Sequence, residues 1–350
     1  MISFYPGPSK LYPQVKQYLQ EAYDSGILSV NHRSAEFVEV SRQAVTMLKK
    51  KLCVPDDYKV FFISSATEAW EIIAQSLVRE KSFHLYNGAF GEKWCEYTGK
   101  LRKAAKLQFD AGEKLAAGSV SVPEDAEVIC ITHNETSNGT ALSMEFIKSL
   151  RAENPHKLIA VDATSSMAGV VLDFKSADIW FASVQKCFGL PAGLAVMICS
   201  PEADIRAAET GDYNHYNSYL FLDEKMKDWQ TTYTPNVLNI YLLGKLVSHI
   251  PEIVETDLRI VSRGKLLYDE ISKISAIELL VENPAVRSDT VLAVMAEAGF
   301  IESIKKSAKA AGLLLGNGYG RWKNNTFRIA NFPAIEDNEL DQVINFLKKL

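Results

Sequence analysis

Two short apolar runs lead directly to one ionisable side chain each. Residues 158–161 end in Asp162, and residues 179–184 lead through Gln185 to Lys186. A buried parallel strand delivers the residue at its carboxyl end to one edge of the sheet, so a carboxylate and an amine would meet on that edge. Other apolar runs bring further groups there. Ser65-Ala66-Thr67 follows the run 59–63, and small residues between a strand and a helix start let backbone N–H groups close on a phosphate. Asn87-Gly88-Ala89-Phe90-Gly91 follows 83–86 and sets an aromatic ring between glycines, where it can lie against a flat ligand. Asn134-Glu135-Thr136-Ser137-Asn138-Gly139 follows 127–132 and adds amide and hydroxyl groups.

Taken singly, each has a plain structural reading. A lysine after a strand is usually a solvated loop residue, Ser65 with Glu68 makes a capping box that needs no ligand, and Phe90 or Thr136 alone would be core or turn. The ordered combination carries the inference. Phosphate cradle, stacking ring, hydroxyl, carboxylate and amine are what a pyridoxal phosphate site requires. The carboxylate keeps the ring nitrogen protonated through a charge-assisted bond, and the amine forms a Schiff base and moves protons. His32 and Arg33 precede a helix capped by Ser34, where the helix dipole and both side chains favour an anion.

Several chemistries find no support. There is no H-E-x-x-H, paired C-x-x-C, G-x-S-x-G or Walker A sequence. Gly316-Asn317-Gly318-Tyr319-Gly320 opens no helical pattern, so it reads as a turn rather than a dinucleotide loop. Five cysteines without metal-ligand spacing read as reduced, mostly buried thiols.

The elements that must position these groups alternate. Strands are expected at 59–63, 83–86, 106–109, 127–132, 157–161, 178–183 and 194–199, with helical stretches such as 92–101 and 143–153 between them. This predicts an α/β fold with a mainly parallel seven-stranded sheet covered on both faces, the last strand being an antiparallel addition. Past Thr234-Pro235 the pattern changes to helices at 236–249 and 252–273. Then come strands at 277–282 and 290–295, a helix at 300–311, strands at 313–315 and 327–331, and a helix at 337–350. The expected organisation is an arm at 1–13 that joins a smaller α+β C-terminal domain at 251–350, with a large domain at 14–250 between them.

With 350 residues, 47% hydrophobic and 23% charged, and a formal net charge of -5, the chain is an ordinary globular one without the basic face that nucleic acid requires. No apolar run approaches a membrane span, and the N-terminus lacks the pattern of a signal peptide, so a cytoplasmic protein with no membrane partner is expected.

At this point a family resemblance becomes specific. Phe4-Tyr5-Pro6-Gly7-Pro8, His32-Arg33-Ser34-Ala35-Glu36-Phe37, Ser65-Ala66-Thr67-Glu68, Asn134-Glu135-Thr136-Ser137-Asn138-Gly139, Asp162-Ala163-Thr164-Ser165-Ser166, Gln185-Lys186, Thr234-Pro235 and Phe327-Arg328 occur in the order seen in class V aminotransferases of the fold type I pyridoxal-phosphate enzymes. Within that class the chain is similar to the phosphoserine aminotransferases. The resemblance implies Lys186 as the cofactor-bonding lysine, Asp162 on the pyridine nitrogen, Thr136 on the ring hydroxyl and Phe90 stacked on the ring. It further implies that Ala66, Thr67 and Gln185 hold the cofactor phosphate, joined by Thr234 from the other subunit of a homodimer. Arg328 would take the substrate α-carboxylate as a bidentate fork, with His32, Arg33 and Arg321 receiving its second anionic group.

The implied reaction passes the amino group of glutamate to 3-phosphohydroxypyruvate, a step of serine biosynthesis. The chain departs from many phosphoserine aminotransferases at Thr67, where they have Arg, at Phe90, where they have Trp, and at Tyr233, where they have Asn. Near Arg328 they carry a His-Arg pair that this chain lacks. Alanine, serine or glyoxylate transamination by the same class therefore stays open, as does a non-catalytic ligand-binding role. Cysteine desulfuration ranks low, because no Cys follows Cys199.

Overall fold

The computed structural model describes residues 1–350. Seven strands form one sheet in the spatial order Lys59–Ile63, Ala195–Cys199, Ile179–Ser183, Leu158–Asp162, Val128–Thr132, Lys81–Tyr86 and Lys103–Gln108. All run parallel except Ala195–Cys199, which is antiparallel to both neighbours. That exception follows from the chain. Between Lys186 and Ala195 there is room only for a tight Gly/Pro-rich return, and a parallel neighbour would need a crossover of a dozen or more residues. The Leu158–Asp162 and Ile179–Ser183 strands are buried at every position, as expected when helices cover both faces. Their register places Thr132 beside Asp162 and Asp162 beside Phe181, so the carboxyl ends of three neighbouring strands open on one crevice.

The second sheet has the order Ile2–Phe4, Leu313–Asn317, Thr326–Ala330, Val291–Met295 and Glu278–Leu279. Ile2–Phe4 is parallel to Leu313–Asn317, and the other pairings are antiparallel. The N-terminal residues thus belong to a sheet otherwise built from the last quarter of the chain. Helices Ile253–Ile271, Ala298–Ala310 and Asp337–Leu347 accompany this sheet. One contiguous apolar core runs from Phe37 and Leu48 through Trp180 to Phe327 and Leu340, so the two sheets share packing.

Three sequence expectations change in detail. The strand expected at 277–282 shrinks to Glu278–Leu279, because Pro284 removes a donor just beyond and the chain turns into a short 3-10 helix. The 134–139 stretch is a tight hairpin pairing Asn134–Glu135 with Thr140–Ala141, with Gly139 in the left-handed region at φ 76°. Helices Pro201–Thr210 and Tyr219–Met226 occupy a stretch left without elements in the sequence reading. The signals for the first were present, with Pro201 at its start and Gly211, at φ 65°, closing it.

Candidate active site

The helix Ala66–Ser76 starts at the crevice. Ser65 caps it by accepting from the Glu68 N–H, but the Glu68 carboxylate reaches back to the Ser64 N–H at 2.6 Å rather than to Ser65. The expected capping box is therefore displaced by one residue. The Ala66 N–H donates to the Ser183 hydroxyl at 2.9 Å, tying the helix start to the end of the Ile179–Ser183 strand. Of the other first-turn N–H groups, Glu68 and Ala69 bond back to Ser65, and the Thr67 N–H is left without an intrahelical partner.

Lys186 lies just past that strand and is buried. Its Nζ donates to Thr136 Oγ1 at 2.7 Å and to Ser165 Oγ at 2.8 Å, and the two hydroxyls also bond each other. The ammonium stands 5.1 Å from the centroid of the Phe90 ring. Its stem is confined by the N-terminal segment, because a Cβ on Gly7 would come within 3.1 Å of Lys186 Cε. Ser9 fixes the adjoining backbone, donating from N and Oγ to the Gln185 carbonyl.

Burial pushes Lys186 down to about 8; Asp162 and Glu135 pull it upward, and Arg328 adds to the depression. Burial also raises the Asp162 carboxyl, whose Oδ1 accepts from the Thr164 N–H at 2.9 Å. For both groups the loss of water outweighs their mutual attraction, the usual result for charges enclosed with few direct bonds.

Arg328 closes the far side. Its Nε donates to the Asn317 carbonyl and its Nη1 to the Thr136 carbonyl, both at 2.7 Å, and neither bond uses Nη2. Thr136 thus touches Lys186 through its hydroxyl and Arg328 through its carbonyl. A cavity of about 270 Å³ lies between these groups, and Ala66, Thr67, Phe90, Asp162 and Gln185 also line it. The Thr132 hydroxyl, lining this cavity, is buried without a hydrogen-bond partner, and the Thr164 hydroxyl and the Trp70 indole nitrogen make no bond of good geometry, their polar neighbour being the Asp162 carboxylate that both help to keep charged. Under-satisfied polar atoms on the wall of a cavity suit a polar ligand. With an amine, a carboxylate and an aromatic ring lining one cavity, the donor set fits pyridoxal phosphate.

The remaining sequence-predicted residues are elsewhere. His32 is half-buried and Arg33 exposed, the latter bonded to the Gln230 side chain, and neither lines the cavity of its own chain. Thr234 is exposed on the surface. Arg321 is exposed and stacks on the neighbouring Trp322 ring, with its Cζ 4.3 Å from the ring centroid, so within one subunit it stays outside the cavity.

Three contributors carried no assigned role in the sequence reading. Ser165 holds Lys186, and its own carbonyl is bonded by Thr290 and Asn134. Glu135 is fully enclosed and accepts from the N–H groups of Phe90, Gly91 and Ser137 and from the Ser137 hydroxyl, which anchors the Phe90 turn. A Cβ on Gly88 would meet Glu135 Cγ at 2.3 Å, which explains a glycine there. Tyr319, from the supposed turn, stacks on Phe90 with centroids 5.0 Å apart and planes 11° apart.

Behind the site, His133 is buried with Nδ1 on the Ser166 hydroxyl at 2.7 Å, and burial drives its titration down to about 4. The unfolded chain takes up that proton near the ordinary value of about 6.5, so the native state is fully favoured above that pH and loses stability as pH falls towards 4. Thermal denaturation between pH 7 and 4 should show this loss, on the order of 1–3 kcal/mol for the one group. His133→Asn, which keeps a polar partner for Ser166, should flatten that limb.

Sheet topology, the buried lysine and aspartate, and the facing arginine are the arrangement expected of a pyridoxal-phosphate-dependent enzyme acting on an amino acid. Comparison with known proteins agrees. Residues 3–319 match the family described as Aminotransferase class-V. A phosphoserine aminotransferase from Rhodococcus opacus is 30% identical over 96% of this chain and 91% of its own length. A crystal structure of a phosphoserine aminotransferase from Cytophaga hutchinsonii superimposes with a TM-score of 0.94 at 37% identity, covering 99% of this chain and 98% of that one. An alanine–glyoxylate aminotransferase from a Nostoc species shares the fold at 18% identity, with a TM-score of 0.84 and coverage of 99% and 94%. The chain belongs to the class V aminotransferases.

Proposed function

We propose that the protein transfers the amino group of glutamate to 3-phosphohydroxypyruvate, releasing 2-oxoglutarate and phosphoserine. The observation that carries this reading is Arg328 facing Lys186 across one cavity, in a chain similar over nearly its whole length to phosphoserine aminotransferases. Pyridoxal phosphate, when bound, supplies an electron sink that weakens the bonds at the substrate Cα. Lys186 would hold the cofactor and, once released, move the proton at that carbon, a task suited to an amine near 8. Asp162 would sit on the pyridine nitrogen, Thr136 on the ring hydroxyl and Phe90 against the ring face. Ala66, Thr67 and Gln185 would surround the phosphate. Arg328 would bind the α-carboxylate with the edge that its two backbone bonds leave open.

His32, Arg33 and Thr234 point outward from their own subunit, which suits contributions to a partner's site in a homodimer. A second reading keeps the cofactor chemistry and changes the substrate: Lys186 and Arg328 are the only cations lining the cavity, which favours an acceptor with an uncharged side chain such as pyruvate or glyoxylate. The deciding measurement is kcat/KM with glutamate as donor and each 2-oxo acid in turn. Phosphohydroxypyruvate should lead by roughly 10²-fold or more, because a site built for a charged group rejects ligands that leave it unpaired. A lead by pyruvate or glyoxylate would overturn the substrate assignment.

A further inference from the structure

The two hydroxyls that hold the Lys186 amine, on Thr136 and Ser165, belong to turns whose backbone is itself held from the second sheet. Arg328 Nη1 donates to the Thr136 carbonyl at 2.7 Å, and Thr290 Oγ1 donates to the Ser165 carbonyl at 2.6 Å. Thr290 directly precedes Val291–Met295, which pairs with the strand that carries Arg328, and its own carbonyl accepts from the Asn331 N–H at 2.7 Å. The Ser288 hydroxyl fixes its approach, accepting from the N–H groups of Thr290 and Val291 at 3.1 and 3.0 Å. The Ser165 carbonyl is a junction. It also accepts from Asn134 Nδ2 at 3.2 Å and, at 3.3 Å, from the thiol of Cys187, next to Lys186 in the chain. Asn134 Nδ2 donates to Thr290 Oγ1 as well, at 2.6 Å. Thr290, Ser165 and Asn134 are all buried, so a partner lost there is not replaced by bulk water.

Arg328 has a role at the substrate carboxylate. Thr290 has none, and it lines not the Lys186 cavity but the cleft behind it, with His133 and Ser166. We propose that Thr290 is a positioning residue for the reaction: by holding the Ser165 carbonyl from the second sheet, it sets the Ser165 hydroxyl against the Lys186 amine. The proposal rests on the reading of Lys186 as the group that moves the proton at the substrate carbon. A hydrogen bond to a charged donor is the stronger kind, so a displaced Ser165 hydroxyl destabilises the ammonium more than the bare amine. Other groups around the amine are Asp162, Glu135, Arg328 and Cys187, and the phenols of Tyr5 and Tyr319 line the same cavity. Asp162, Glu135 and Arg328 are held by bonds that do not involve Thr290. Burial pushes the Cys187 thiol up, which keeps it neutral. A change at Thr290 therefore reaches the charge on Lys186 through the Ser165 turn.

The test reads Lys186 in the cofactor-free full chain, so it does not depend on turnover. The pH dependence of Lys186 modification by an amine-selective reagent, followed by peptide mass analysis, gives the midpoint at which the amine loses its proton. Thr290→Val, close in shape but without the hydroxyl, should lower that midpoint by about half a pH unit, and Thr290→Ser, which keeps the hydroxyl, should restore most of it. Thr290→Ala should repeat the Thr290→Val shift, which separates the hydroxyl from a fault of packing. In a Ser165→Ala chain the Thr290→Val change should add nothing, because the hydroxyl through which it acts is gone. In the loaded enzyme Thr290→Val should lower kcat about tenfold with KM within about twofold, the pattern of a group misplaced for chemistry rather than lost for binding. An unmoved midpoint, an equal shift with and without the Ser165 hydroxyl, or a Thr290→Ser chain as altered as Thr290→Val would each overturn the proposal. The expected midpoints together with no transamination by the unaltered chain would overturn only the role given to Lys186.

Discussion

Replacing Lys186 with alanine will abolish the covalent attachment of the cofactor and cut transamination by at least about 10³-fold, since a positioned acid–base group alone is worth about 10² to 10⁴. Borohydride reduction followed by peptide mass analysis should find the cofactor mass on the peptide carrying Lys186 in the unaltered chain and nowhere in the variant. The fold should survive. Thr136 and Ser165, which lose the ammonium, already bond each other. In the cofactor-free protein the variant should even be more stable at neutral pH. Burial lowers Lys186 from 10.5 to about 8, so the unfolded chain holds that proton more tightly than the native chain. The penalty is fully present below about 8 and disappears as pH rises towards 10.5. Its removal should stabilise the variant by on the order of 1–3 kcal/mol at pH 7. Chemical denaturation of the two cofactor-free proteins at pH 7 and pH 10 checks this: the gap should narrow at the higher pH. Near-normal turnover in the variant would remove the central assignment.

The groups legible in the sequence are those whose position follows from one element. Asp162 ends an all-apolar run and Lys186 lies three residues past the mostly apolar strand Ile179–Ser183, and a buried parallel strand leaves no choice about the edge at which its carboxyl end emerges. Arg328 lies inside a strand, and periodicity alone gave no reason to aim it at Lys186; the family resemblance supplied that. Other contributors depend on contacts between segments far apart in the chain. Ser165 matters because the Asp162–Ser166 turn folds under Lys186, and its carbonyl is held by Thr290 from the second sheet. Tyr319 was hidden inside a glycine-rich stretch whose composition says turn. Only the pairing of Leu313–Asn317 with Thr326–Ala330 and the approach of that sheet to Phe90 bring its ring to the cavity wall. His32, Arg33 and Thr234 illustrate the opposite limit. Their motifs are recognisable, yet the fold leaves His32 half-buried and Arg33 and Thr234 exposed, all outside the Lys186 cavity, and sequence alone assigns them no ligand there.

Asp162→Asn separates catalysis from stability. The amide is nearly isosteric and can still accept from the Thr164 N–H, so the local backbone has no reason to move. The carboxyl is enclosed, and burial already raises its titration, so trading it for a neutral amide removes a desolvation penalty along with an attraction. The net change in cofactor-free stability should stay within about 1 kcal/mol. Turnover should fall by about 10² to 10³-fold, the scale associated with removing one preorganised electrostatic partner from a water-excluded site. A second signature lies on Lys186. Asp162 is the largest influence raising the amine against burial, so without its charge the amine should titrate below the value near 8. The alkaline-side titration of the cofactor-free lysine, followed by the pH dependence of its modification by an amine-selective reagent, should therefore shift to lower pH in the variant. A variant that lost activity while leaving this titration in place would mean that Asp162 and Lys186 do not sense each other, and the electrostatic account of the pair would fail even if both residues proved essential.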